Sequence, residues 1–245
     1  MSRDSTTGKY RNTSNPNGQE NVGFLPIWKP NFIVDDTGRV NFGMICLGKR
    51  RSGKSQMVKY LYETYLINKY DLVLIYTTEV NAEFYKKFII GRKYIVTNGD
   101  LTKVKKVSSV NTKRKKSGKS PINVLCVFDD TNSRREKFNN DILDIYTKGR
   151  HVNISSIYNA QAATLTDNIW RENTDYMLIW RQKRRTFQEY VAENVLAGYL
   201  EKDFPSKTKE RNHYIALLKK NTFQKYWALV VDDPSENLFR FKAPI

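Results

Sequence analysis

Gly48, Lys49, Arg50, Arg51, Ser52, Gly53, Lys54 and Ser55 follow the Walker A spacing of glycine, any four residues, glycine, lysine and a hydroxyl residue. That order suits one chemistry. The glycines let backbone N–H groups wrap a chain of phosphates, and a following helix N-terminus adds positive potential. Lys54 then reaches the β and γ oxygens, Ser55 ligates Mg²⁺, and Gln56 closes the contact stretch. A cradle of this kind requires an acid at the end of a neighbouring buried strand, and Val124 to Phe128 leads directly into Asp129 and Asp130. Asp129 is expected to hold Mg²⁺ through its water shell, and Asp130 to polarise an attacking water as general base. The pair also suits a helix N-cap before Thr131 to Tyr146, and both duties are compatible.

Three lookalikes are set aside. Gly118, Lys119 and Ser120 repeat the end of a Walker A, but Lys113 stands where the first glycine belongs and no strand precedes it. Asn68, Lys69, Tyr70 and Asp71 spell a guanine-recognition motif, yet they lead into a strand instead of following one. Asp129 also lacks the glycine three positions later that GTPases use, so ATP is the expected nucleotide. Val230, Val231, Asp232 and Asp233 resemble a second acidic strand end, but Pro234 makes them a turn.

Elements that could carry such a site are legible around it. Met44 to Leu47, Leu72 to Tyr76, Val124 to Phe128, Ile154 to Tyr158 and Tyr176 to Trp180 are short apolar runs, suited to strands buried on both faces of a parallel sheet. Val58, Leu61, Tyr62, Tyr65 and Leu66 make one helical stripe from about Ser55. Phe138, Ile142, Leu143, Ile145 and Tyr146 make another, stopping at Gly149 as a left-handed cap. Strands alternating with helices call for an α/β fold with a mainly parallel central sheet covered by helices. Phe32 to Phe42 reads as a β-hairpin, and residues 222–242 as a C-terminal β-hairpin around Asp233 to Glu236. Met1 to Val22 reads as a flexible tail without a signal peptide, and residues 23–245 as one domain. The lysine-rich stretch from Lys103 to Lys119, in a region bounded as 103–120, reads as a long loop.

The 245 residues carry 42 Lys and Arg against 25 Asp and Glu, a net charge of +17. A polyanion such as DNA or RNA is the partner this implies, with steep salt dependence; solubility alone is the milder reading. Apolar runs are too short to cross a bilayer. Cys46 and Cys126 cannot build a disulfide framework, and His151 and His213 cannot build a histidine-rich zinc site.

Gly149, Arg150, His151, Val152, Asn153, Ile154 and Ser155, ending at Gln161, complete a series with the Walker A and the Asp-Asp pair. From Phe42 to Trp180 this series resembles the viral genome-packaging ATPases of the FtsK/HerA superfamily, of virophage and large DNA virus type. The resemblance implies an ASCE, RecA/FtsK-like P-loop NTPase fold. It also implies ATP and Mg²⁺ as cofactors, double-stranded DNA and capsid protein as partners, and a homo-oligomeric ring of five or six subunits. Infected host cytoplasm, viral factory and virion are the implied locations, with no membrane. Many members have Glu at the position of Asp130. Gln161, at the nucleotide end of its strand, would touch the γ-phosphate or orient water. Arg150 lies some 20 Å away at roughly 3.3 Å per residue, so it could act as an arginine finger only on a neighbour's ATP. A helix C-terminal cation is the other reading of Arg150, and a polar strand end that of Gln161. Lys113, Arg114, Lys115 and Lys116 are the leading DNA-gripping candidates, with Arg181, Lys183, Arg184 and Arg185 second. A helicase or DNA-mobilisation motor would share every site residue. A basic nucleic-acid-binding protein that holds nucleotide without hydrolysing it is the rival of another class.

Overall fold

The continuous apolar runs become strands buried on both sides. In the computed structural model, residues 22–244 are described apart from 35–37, 132–135, 162–167 and 200–202. The strands are β1 (Gly43–Leu47), β2 (Leu72–Tyr76), β3 (Lys93–Val96), β4 (Val124–Asp129), β5 (Ile154–Ala160), β6 (Tyr176–Trp180), β7 (Trp227–Asp232) and β8 (Asn237–Lys242). They form an eight-stranded sheet in the order β3-β2-β4-β5-β1-β6-β7-β8. The first six pair in parallel, while β7 and β8 add as an antiparallel hairpin. β5 lies between the strand that feeds the Walker A turn and the strand that ends in Asp129, the additional-strand arrangement that the resemblance implied.

Helices cover both faces. α1 (Lys54–Leu61) and α2 (Glu79–Lys86) pack Met57, Val58, Leu61 and Tyr85 against one side of the sheet. α3 (Thr102–Lys116), α4 (Glu136–Lys148), α5 (Asn168–Glu172), α6 (Arg185–Val191) and α7 (Lys207–Thr222) close the other, with Val104, Ile142, Trp170, Val191 and Leu217. Two single π-helical turns, Tyr62–Leu66 and Ala192–Leu196, extend α1 and α6.

Several sequence expectations require correction. Lys103 to Lys119 is not a long loop: α3 occupies most of it, because lysine and arginine are good helix formers and one face of the segment is buried. Val104 sits in the core and Val107 packs against it. Asn111, also fully buried, donates to the carbonyls of Ile122 and Val152 and accepts from Ile122 N. Gly149 is not a left-handed cap. The chain tightens into a 3₁₀ turn over Gly149–Val152, and Asn153 takes the left-handed conformation at φ 58°. Gly149 is needed for closeness, since a Cβ there would lie 3.1 Å from Ile154 O.

The hairpin expected at Phe32 to Phe42 is, among the described residues, a single antiparallel bridge between Val34 and Val40. Stacked Phe32 and Phe42 rings fasten its base. The C-terminal hairpin starts at Trp227, Thr222 being the end of α7. Residues 1–21 of the expected tail, and 132–135 of the expected helix from Thr131, lie outside the described residues; Val22 is buried in the core. Among the described residues no helix is long and apolar enough to cross a membrane.

Candidate nucleotide site

Parallel strands deliver their carboxyl ends to one edge of the sheet, where open α/β sheets bind ligands. Gly48 follows β1, Asp129 ends β4 and Gln161 follows β5, so all three meet there. Gly48 N donates to Ala160 O at 3.0 Å, which ties the Walker A turn to β5. The turn needs its glycines. At Gly48 a Cβ would come within 2.8 Å of Ser52 Oγ and 2.9 Å of Trp180 Cβ. Gly53, at φ 108°, is the left-handed residue that starts α1. Lys49, Arg50, Arg51 and Gln56 are exposed around the turn.

Lys54 is buried and folds back, its Nζ donating to the carbonyls of Gly48 and Lys49. Burial lowers its pKa below the usual lysine value, and the charge of Asp129 opposes that shift. The side chain of Asp129 has three donors: Ser55 Oγ at 2.8 Å and the Tyr85 hydroxyl at 2.7 Å on Oδ2, and Asn159 Nδ2 at 2.8 Å on Oδ1. Asp130 follows in the left-handed region at φ 56°, which turns its side chain away from that cluster. Its Oδ1 accepts a short hydrogen bond from Gln161 Nε2, and its Oδ2 lies 3.7 Å from Arg50 Nη2.

These groups fit a magnesium-bound triphosphate. Ser55 and Asp129 bring a hydroxyl and a carboxylate oxygen together, the hard donors Mg²⁺ takes alongside waters. Ser52 Oγ in the turn and Thr131 Oγ1, two residues past the end of β4, are buried without a hydrogen-bond partner among the described residues, so polar capacity at this edge is left for a ligand. When bound, Mg²⁺ would supply charge to polarise the phosphate oxygens. Asp130 and Gln161 are already paired, a carboxylate with an amide able to orient water.

Tyr85 and Asn159 were missed from sequence. Asn159 did carry a signal: it is polar inside a buried strand, of the same parity as Gln161, and in register with Asp129. Tyr85 carried none. Arg150 lies at the opposite, amino-terminal edge, where Nη1 donates to Asp175 Oδ1 at 2.8 Å. Asp175 Oδ2 also accepts from Gly43 N, and burial raises the Asp175 pKa against those two favourable contacts. The two basic candidates are not brought together. Lys113 to Lys116 end α3 at the amino edge, where Arg114 Nε donates to Ser120 O and Lys115 Nζ to His151 O. Arg184 and Arg185 follow β6 at the carboxyl edge, Arg185 pairing with Glu189. Cys46 and Cys126 are buried free thiols.

The Walker A turn, the acid across an inserted strand and the mostly parallel sheet define the chain as a P-loop ATPase by fold and site. Residues 30–236 match the poxvirus A32 protein family, and the chain belongs to that family. Among solved structures it is similar to B204, the DNA-packaging ATPase from Sulfolobus turreted icosahedral virus, at 16% identity and TM-score 0.58, covering 83% of this chain and 98% of that one. B204 from Sulfolobus turreted icosahedral virus 2, in complex with ATP-gammaS, matches at 14% identity and TM-score 0.55, covering 83% and 98%. ATPases 2 and 3 of EssC from Geobacillus thermodenitrificans match at 11% and 0.55, covering 89% of this chain and 46% of that one. No curated protein matches the chain by sequence.

Proposed function

We propose that this protein hydrolyses ATP to drive double-stranded DNA into a viral capsid. One observation carries the reading: Ser55 with Asp129, and Asp130 with Gln161, sit as two ready pairs at the carboxyl edge beside Lys54. Ser55 and Asp129 would hold Mg²⁺, Lys54 would neutralise phosphate charge, and Asp130 with Gln161 would orient and deprotonate the attacking water. The net charge of +17 supports a polyanionic substrate, and phosphate-dominated contact would make transport insensitive to sequence. Family membership and the likeness to a protein described as a DNA-packaging ATPase support packaging over strand separation.

A ring belongs to the same proposal. Arg150 lies beyond the far end of β5 from Gln161, roughly 20 Å or more at ~3.3 Å per residue. It would therefore serve a neighbour's ATP, released from Asp175 when it does so.

ATPase rates of the wild type, Lys54→Ala and Asp130→Asn test the hydrolytic core. Turnover in the wild type alone is expected; equal background rates in all three would leave a nucleotide-holding DNA-binding protein instead. Duplex transport without strand separation distinguishes a packager from a helicase. Mixing Arg150→Ala with Lys54→Ala protomers tests the shared site, since intact interfaces reform in mixtures and some activity should return.

A further inference from the structure

At the amino-terminal edge of the sheet, away from the nucleotide site, a cleft of about 360 Å³ opens between the starts of β2, β3 and β4. Arg39, Arg92 and Arg114 line it from three separate segments, over a floor of Leu72, Pro121 and Ile122. The carboxylate on its wall, Asp71, already accepts from Asn123 N at 2.8 Å. Arg39 has a partner within the chain. The Arg92 side chain makes no hydrogen bond or ion pair among the described residues, its backbone carbonyl accepting from Val73 N. Among the described residues the Arg114 guanidinium uses only Nε, on Ser120 O at 2.6 Å, which fixes its plane and leaves both terminal nitrogens available.

We infer that this cleft is a phosphodiester seat, in which Arg92 and Arg114 grip the backbone of duplex DNA. The guanidinium forks suit phosphate oxygens bidentately, and the apolar floor suits the carbon face of a sugar. Duplex backbone is favoured over a free anion because the cleft continues onto a positive surface. Lys113, Lys116 and Lys119 are exposed on the same end of α3 and beyond it, and Lys115 lies alongside on His151 O. A single phosphate would use none of that extension, whereas a backbone carries further phosphates past it. The inference rests on the proposal that DNA is the substrate and adds where the chain holds it.

The test is a fluorescence-anisotropy titration of labelled duplex DNA with the full chain over a range of salt. Arg92→Ala and Arg114→Lys are compared with wild type, and Lys209→Ala, at an exposed position of α7, serves as a remote charge control. Each phosphate contact contributes about 0.9 to the slope of log affinity against log salt. Arg92→Ala should flatten the slope by about one such contact and weaken binding to unrelated duplexes alike, with the DNA-free ATPase rate unchanged. Arg114→Lys keeps the charge but loses the fork, so it should lower affinity with the slope nearly retained.

If Arg92→Ala and Lys209→Ala flatten the slope equally, the cleft is no seat. A wild-type slope in Arg92→Ala, with the slope lost in Lys113→Ala/Lys116→Ala, overturns the cleft and leaves DNA as substrate. Absence of salt-dependent duplex binding by the wild type overturns the substrate proposal itself. Inorganic phosphate that perturbs the Arg92 resonance in the wild type, while duplex DNA does not, would make this a free-anion site and also overturn the inference.

Discussion

Replacing Tyr85 by Phe removes one oxygen and keeps the ring that packs between α2 and the sheet. The lost hydroxyl is the one that donates to Asp129 Oδ2 at 2.7 Å, and both residues are buried. No cavity opens, so the cost is that of a hydrogen bond to a buried charge, roughly 2 kcal/mol. For a chain of this length that lowers Tm by about 4–8 °C in the absence of nucleotide. Burial and the charge of Asp129 raise the Tyr85 pKa well above the usual tyrosine value, so the donor keeps its proton and the deficit should not vary with pH near neutrality. A double-mutant cycle isolates the bond. In an Asp129→Ala background the charged acceptor is gone, and Tyr85→Phe should cost under about 1 kcal/mol. Equal losses in the two backgrounds would refute the reasoning, because the hydroxyl would then matter for something other than holding the carboxylate.

Gln161→Ala deprives Asp130 of its amide partner and should lower ATP turnover by about 10²-fold while nucleotide affinity holds, as steady-state kinetics beside equilibrium binding would register. Gly53→Ala forces a Cβ into the left-handed region at φ 108°, 3.1 Å from Ala243 Cβ; a loss of roughly 1–2 kcal/mol in denaturant titration and of nucleotide binding is expected. Burial places the Lys54 pKa below 10.5, so between its folded value and 10.5 the unfolded chain binds more protons and stability rises with pH. Nucleotide binding favours charged Lys54, so in that window it should take up a proton. Heats that do not change with buffer ionisation enthalpy would exclude this. Asn111→Ala removes three buried hydrogen bonds that anchor α3 and should cost about 3 kcal/mol, read as a lower melting temperature.

The Walker A turn and the carboxylates that the fold sets beside it were legible because their pattern is local. A turn, a strand end and a helix start lie within a few residues, and apolar runs of four or five residues identify β1, β2 and β4 without help from elsewhere. α3 was hidden by its own charge. Among the described residues its inward-facing anchors are Val104, Val107 and a buried asparagine, so the apolar stripe was too thin to stand out against lysines that are themselves good helix formers. Tyr85 and Asp175 were invisible for another reason. Each meets its partner across a crossover, 44 residues from Asp129 and 25 from Arg150, and no local pattern encodes such a meeting.

Inserting β5 between β1 and β4 has a mechanical consequence. Asn159 and Gln161 share one parity, so one strand end supplies both the amide on Asp129 and the amide on Asp130. Arg150 precedes the other end of the same strand. β5 is paired in parallel on both sides along its length and buried throughout, so it cannot slip relative to β4 or β1 without breaking ladder bonds and turning core side chains to the wrong face. It therefore moves with the sheet as one rigid piece. If Arg150 serves a neighbour's ATP, a change at Gln161 reaches that neighbour through rotation of the whole subunit, and the flexible steps must lie outside the strand. The Arg150–Asp175 pair at the amino edge is then the contact that has to open, and Asp175 joins it to the backbone of β1, the strand that feeds the Walker A turn.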